Sequence, residues 1–283
     1  MSLAFTKMHG LGNDFAVVDA RAQAFAADPV LIRRMGDRRR GIGFDQLLTL
    51  LQATAPDCIA AFHVWNRDGT RAEQCGNGLR CIAAWLARAG EIALGTEARL
   101  QTDSDVATVR VHAAHDVEVD MGEPDFTPAA VGYAATAAAA GPPYRLQLAA
   151  GVIELDVVTM GNPHAVVAVD DLAAPALESL GSALTAHAAF AHGVNAGFVR
   201  VLDRTHLALR VHERGAGWTQ ACGSGACAAM AVLRATGRVD AEVEVALPGG
   251  TLGIRWDGPG ARLWMRGPAA FVYAGVWLDA RGA

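Results

Sequence analysis

The chain has 283 residues, 52% of them hydrophobic and 19% charged, with a formal net charge of −5. A chain this long and this apolar builds a substantial core, which excludes intrinsic disorder. Its 24 Lys and Arg against 29 Asp and Glu argue against nucleic acid or an anionic membrane as partner.

Taken in chain order, the first residues, MSLAFTKMHGLGNDF, lack the charged-then-apolar layout of a secretory leader. Apolar spacing predicts helices over 29–39 and 76–89, then strands over 106–111 and 117–121. The Ala-, Pro- and Gly-rich segment 123–143 reads as a joint, dividing the chain into an N-terminal domain of 1–123 plus 268–283 and a C-terminal domain of 124–267. Its alanine run, interrupted by Gly132, Tyr133 and Thr136, is far shorter than the roughly 20 residues of a membrane helix, so the chain reads as soluble and cytoplasmic. Further helices are predicted over 175–189 and 223–236, and strands over 242–247 and 261–265. The two central helices stop at Gly90 and Gly237, the residue type suited to a left-handed cap. Strand runs follow each central helix without regular βαβ alternation, which predicts an α+β fold rather than a doubly wound parallel sheet.

The chain repeats itself once. CGNGLRC begins at Cys75 and CGSGAC at Cys222, 147 residues apart; GNDFAVV begins at Gly12 and GNPHAVV at Gly161, 149 apart. Asn66 and Glu213 each stand nine residues before their cysteine. Three matches at nearly one offset mark an internal duplication. It predicts two pseudo-symmetric domains, with an active site in the cleft between them.

Five cysteines, Cys58, Cys75, Cys81, Cys222 and Cys227, are an odd count without zinc-ligand spacing. Cys81 and Cys227 fall inside helices and Cys58 in an apolar run, so all three read as core. Cys75 and Cys222 stand at predicted helix N-termini. There the dipole and free N–H groups favour a thiolate, and the adjoining glycines turn N–H groups toward a bound anion. One thiolate on each face of a carbon suits stereoinversion: one removes the α-proton while the opposite thiol delivers another. Lys7 is the only lysine, so pyridoxal chemistry, which needs a Schiff-base lysine, would depend on one N-terminal residue.

The stretches KMHGLGNDFAVVD (7–19), GIGFDQ (41–46), NRDGTRAEQCGNGLRC (66–81), GNPHAVV (161–167), GVNAGF (193–198) and ERGAGWTQACGSGACA (213–228) resemble the diaminopimelate epimerases. That resemblance implies a cofactor-independent isomerase converting LL-2,6-diaminopimelate to the meso form in lysine and peptidoglycan-precursor synthesis. It further implies no metal, a small-molecule substrate as the only ligand, and a homodimer. Each domain would be a mainly antiparallel sheet or barrel around a central helix. The acid/base pair falls on Cys75 and Cys222. Substrate-binding positions fall on Asn13, Gln46, Asn66, Asn162, Asn195, Glu213 and Arg214, with anion-binding turns at Gly76–Asn77 and Gly223–Ser224. Arg214 offers a fork for the distal carboxylate, and Glu213 and the asparagines offer acceptors for its ammonium. His164 and Glu213 are candidates for tuning the thiols, and Asp68 and Glu73 for supporting the first loop. Trp218, Arg67 and Ala191 depart from the family pattern, where glutamate, alanine and proline are usual.

A proline or hydroxyproline racemase shares this layout but leaves the distal-end residues surplus. A carboxylate-using isomerase leaves the paired cysteines unexplained. A redox switch would join Cys75 and Cys222 in a disulfide, so an oxidant should inactivate the protein and a reductant restore it.

Overall fold

The computed structural model describes residues 2–72, 75–103, 105–134 and 141–278. The chain divides into two compact units, parting at Asp120–Met121 and rejoining at Met265–Arg266. Part of the expected joint, 135–140, lies outside the described residues.

In the first unit β1 (Ser2–Gly10), β2 (Asn13–Asp19), β3 (Gln46–Leu51), β4 (Ala60–Asn66), β6 (Glu97–Gln101) and β7 (Val106–Ala113) pair in that order. The pairings run antiparallel, parallel, antiparallel, parallel and antiparallel. β5 (Arg71–Ala72) adds to β4, β8 (Asp116–Asp120) to β7, and the C-terminal β18 (Ala270–Leu278) to β1. In the second unit the order repeats with β10 (Gly151–Thr159), β11 (Pro163–Ala168), β12 (Asn195–Val201), β13 (His206–Glu213), β15 (Glu242–Leu247) and β16 (Gly250–Arg255). There β9 (Tyr144–Leu148) pairs with β10, and β14 (Gly217–Trp218) with β13. The duplication is therefore one of topology and register. Phe15 pairs with Gln46 and Gln46 with Asn66; His164 pairs with Asn195, beside the Ala196–His212 pair that leads to Glu213.

Parallel neighbours need a crossover. In the first unit α1 (Pro29–Gly36) joins β2 to β3, and α2 (Gly76–Arg88) lies between β4 and β6. In the second, after the short α3 (Pro128–Val131), the corresponding crossovers are α4 (Ala176–Thr185) and α5 (Gly223–Ala235). α2 and α5 are the central helices, each packed against several strands of its own unit. Leu79, Cys81, Ile82, Ala83, Ala84 and Leu86 are all buried, as is the whole of Ala226–Leu233. A helix enclosed by a sheet has no solvent face, so both are apolar around most of their circumference.

Element ends differ from the sequence reading where other hydrogen bonds intervene. The first helix stops at Gly36 because the Asp37 carboxylate accepts from the N–H groups of Arg39 and Arg40, turning the chain. α4 stops at Thr185, whose carbonyl accepts from the Val194 N–H rather than from a further helical turn. The strand expected over 261–265 starts only at Trp264, in β17 (Trp264–Pro268), because Ala261 bonds back to Gly258 and accepts from the Trp256 indole. Cys81 and Cys227 are buried, but Cys58 is only half-buried. It lies just after a turn at Asp57, a left-handed residue, and pairing resumes only at Ile59.

Candidate active site

Each candidate cysteine is the N-cap of its unit's central helix, with extended backbone angles. At such an end the first N–H groups find no acceptor inside the helix. In the first unit the Gly78 N–H donates to the Cys75 Sγ at 3.3 Å. The motif's second glycine permits this approach. A Cβ at Gly78 would lie 3.5 Å from Cys75 Sγ and 3.1 Å from Leu48, and at Gly225 3.2 Å from Cys222 Sγ and 2.9 Å from Val211.

Around Cys75 the structure gathers Asn13 and Asn77. The sulfur lies 3.9 Å from Asn13 Oδ1, which also accepts from Asn77 Nδ2 at 3.2 Å. Asn13 Nδ2 donates to Asp45 at 3.1 Å. Asp45 is joined through Arg38 to Asp14. Burial alone would raise the Asp14 pKa, but hydrogen bonds from Arg38 and Lys7 hold it well below the usual carboxylate range. Lys7 also donates to the Gly43 carbonyl. Gln46 Nε2 donates to Asn66 Oδ1 at 3.0 Å, and Asn66 Nδ2 to Thr70. Asp68 holds Thr70 through both its N–H and its hydroxyl, as expected of a loop support; Glu73 lies outside the described residues.

Around Cys222 the partners are different. The sulfur lies 3.6 Å from Ser224 Oγ, which accepts from Asn162 Nδ2 at 3.2 Å. His164 Nε2 lies 2.9 Å from Asn162 Oδ1 and 3.1 Å from Ser224 Oγ. Glu213 reaches the thiol from β13 and accepts from the Thr219 hydroxyl at 2.5 Å. Asn195 Oδ1 accepts from the Arg214 N–H at 2.9 Å. Arg214 is exposed on the β13–β14 turn and donates to the His192 carbonyl at 2.6 Å.

The thiol electrostatics correct one expectation. Cys222 is 4% exposed, and burial, reinforced by the Glu213 charge, pushes its thiol well above the ordinary value. Ser224 and the Gly225 backbone pull the other way and lose. A helix end contributes at most about 2 kcal/mol, whereas full burial shifts a pKa by up to about 3–5 units. Cys222 therefore rests as a thiol, not as the thiolate its helix position suggests.

His164 is fully buried, and burial lowers its pKa to about 3. The unfolded chain takes up this proton below about pH 6.5, so the stability gained by keeping the ring neutral is complete above that pH and declines as the pH falls toward 3. From pH 6.5 to 5 the loss amounts to about 2 kcal/mol at 1.36 kcal/mol per unit. His164→Phe copies Phe15, its counterpart in the other unit, and should flatten this dependence in urea unfolding at pH 7 and pH 5. An equal drop in the variant would assign the acid sensitivity to other groups.

Asp45, Arg80 and Thr219 escaped the sequence reading. Arg80 alone left a signal, a charge in the middle of an apolar run three residues after Asn77. Trp218 replaces the usual glutamate with packing. Its ring lies under the Arg210 guanidinium at 4.2 Å and edge-on to His212, and Gly181 leaves it room. Nothing in the structure explains the Ala191 departure.

The sequence profile described as Diaminopimelate epimerase matches residues 5–127 and 156–272. The chain is 46% identical over 275 residues to the diaminopimelate epimerase of Xanthomonas campestris pv. campestris, covering 97% of this chain and 96% of the other. The chain belongs to the diaminopimelate epimerase family. Among solved structures, this family member shares its fold with a hydroxyproline epimerase from Agrobacterium vitis with trans-4-hydroxy-L-proline bound, at a TM-score of 0.71, 17% identity, and coverage of 97% and 92%. A Bacillus anthracis phenazine biosynthesis protein of the PhzF family matches at a TM-score of 0.70 and 14% identity, covering 99% and 100%. At these identities the structures establish only that the epimerase fold is shared. No helix among the described residues is long and apolar enough to cross a membrane.

Proposed function

We propose that this protein converts LL-2,6-diaminopimelate to meso-diaminopimelate by two-thiol proton transfer, with Cys75 and Cys222 serving opposite faces of the α-carbon. Membership of the family makes it an isomerase of the racemase and epimerase type. The observation that supports the residue assignment is the repeated one: each cysteine caps a buried central helix in the same register, three residues before a glycine that lets the helix approach its sulfur.

With Cys222 resting as the thiol, Cys75 is the base that starts the reaction in one direction and Cys222 the acid that completes it. The roles exchange on return: the forward step leaves Cys75 as the thiol and Cys222 as the thiolate, so Cys222 removes the α-proton and Cys75 delivers one. The N–H groups at Gly76–Asn77 and Gly223–Ser224 are suited to hold the reacting carboxylate while negative charge develops on it. Gln46 Oε1 is buried without a hydrogen-bond partner, an acceptor that a substrate ammonium would satisfy. At the distal end Arg214 pairs with the carboxylate, and Asn66, Asn162 and Asn195 serve the amino group. Glu213, occupied by Thr219 and the thiol, acts on the sulfur rather than on the distal ammonium. Work in the cytoplasm as a homodimer is part of the same proposal.

The test is proton exchange. Purified, reduced protein with LL-diaminopimelate in D₂O and no added pyridoxal should yield meso product deuterated at one α-carbon by NMR. Folded protein giving neither exchange nor product would overturn the reading, and proline and hydroxyproline would be the next substrates to try.

A further inference from the structure

Arg80 is fully buried on α2, five residues after Cys75; the residue five after Cys222 is Cys227, so the second unit has no counterpart to it. Its Nη2 donates to Asn77 Oδ1 at 2.8 Å, and its Nε to the Pro268 carbonyl at 3.2 Å. From these contacts we infer that Arg80 is a positioning residue which, with Asp45, sets the direction of the Asn77–Asn13 amide chain and so decides which amide atom meets the Cys75 sulfur.

An asparagine amide can present its oxygen or its nitrogen to a neighbour, and the two arrangements have nearly the same shape. Here both ends of the chain permit only one. Arginine only donates, so Asn77 must turn its oxygen to Arg80 and its nitrogen to Asn13 Oδ1. An ionised carboxylate only accepts, so Asp45 takes Asn13 Nδ2. The two constraints agree, and they leave Asn13 Oδ1 as the atom facing the sulfur at 3.9 Å. An acceptor at that place holds the thiol proton and opposes the thiolate, balancing the Gly78 N–H on the same sulfur.

In the second unit no end of the chain is fixed in this way. Asn162 Nδ2 donates to Ser224 Oγ, His164 Nε2 lies within hydrogen-bond distance of both Asn162 Oδ1 and Ser224 Oγ, and either Ser224 Oγ or Cys222 Sγ can be the donor between them. The constraint on amide direction is therefore confined to the Cys75 side.

The inference uses the proposed function only for its turnover arm; thiol reactivity tests it without substrate. Arg80→Met removes the donor-only end, and Asn13 is then free to turn its NH₂ to the sulfur. In folded, ligand-free protein, iodoacetamide alkylation of Cys75 at pH 7, followed by peptide mass spectrometry, should rise about threefold or more, and its pH midpoint should fall. Cys222 should be unchanged. Turnover should fall about tenfold or more with KM within about threefold, the signature of misplacement rather than lost binding. Arg80→Lys keeps a donor-only end and should restore both readouts. If Arg80→Met does not fold, Arg80→Gln takes its place, since its amide can both donate and accept. Asp45→Asn loosens the other end, and its effect on Cys75 alkylation should not multiply simply with that of the Arg80 variant. Wild-type Cys75 reactivity in the folded Met or Gln variant, or a Lys variant no better than either, would overturn the inference. A wild-type protein that fails to epimerise, with Cys75 alkylation still responding to Arg80, would sink the proposed function and leave the positioning role standing.

Discussion

Cys75→Ala and Cys222→Ala are each expected to abolish formation of meso product, lowering turnover by about 10³-fold or more, at the upper range of a positioned acid or base. Among the described residues, the partners of the two sulfurs include the Asn13 amide at Cys75 and the Ser224 hydroxyl and Glu213 carboxylate at Cys222. The informative readout is the pattern of loss. A variant that keeps one thiol still removes and returns a proton on one face, so it should exchange the α-hydrogen of one stereoisomer without inverting it. The two variants should retain exchange on opposite isomers. The Cys75 sulfur caps its helix by accepting the Gly78 N–H, a bond worth about 1 kcal/mol that alanine removes, so thermal unfolding should shift only slightly in Cys75→Ala while turnover is lost. Exchange on both isomers in either variant would show a single base at work and refute the pairing.

Arg214→Met should lower kcat/KM for diaminopimelate by about 30-fold to several thousand-fold, the 2–5 kcal/mol cost of losing one partner from a desolvated charge pair. Arg214 spends one guanidinium donor on the His192 carbonyl and its backbone N–H on Asn195. A guanidinium has five donors, so a fork remains for a carboxylate. Methionine keeps the bulk of the stem, and the Gly193 turn, which packs on the aliphatic part of Arg214, should hold. Arg204→Met is the control, removing an exposed pair with Asp240 at no expected cost to activity. Equal activity in the two variants would free Arg214 from the distal end.

The paired cysteines were legible in the sequence because the duplication puts the same short motif in two places at nearly one offset, and Arg214 was legible through the family resemblance. The partners that tune those residues were not legible in the same way. Asp45, Thr219 and Arg80 reach Asn13, Glu213 and Asn77 through side-chain hydrogen bonds. Asp45 lies 32 residues from Asn13, and no local periodicity links such a pair.

The thiol at Cys222 shows the same division. Its place at a helix N-terminus follows from Cys-Gly-x-Gly before an apolar helical run, and that position alone argues for a lowered pKa. Burial and Glu213 reverse the sign, and both depend on which strands close around the helix. Helix ends behaved alike, since the Asp37 carboxylate at the end of α1 and the Val194 N–H at the Thr185 carbonyl of α4 make bonds that apolar spacing does not encode. By itself the sequence determined the family, the duplicated plan, the two central helices and the paired cysteines, because each is written in local pattern or in its repetition. Only the tertiary structure decided the parallel crossovers within each sheet, the raised pKa of the Cys222 thiol and the direction of the Asn77–Asn13 amide chain. Desolvation and hydrogen-bond direction are properties of what surrounds a group, and those surroundings exist only once distant segments have packed.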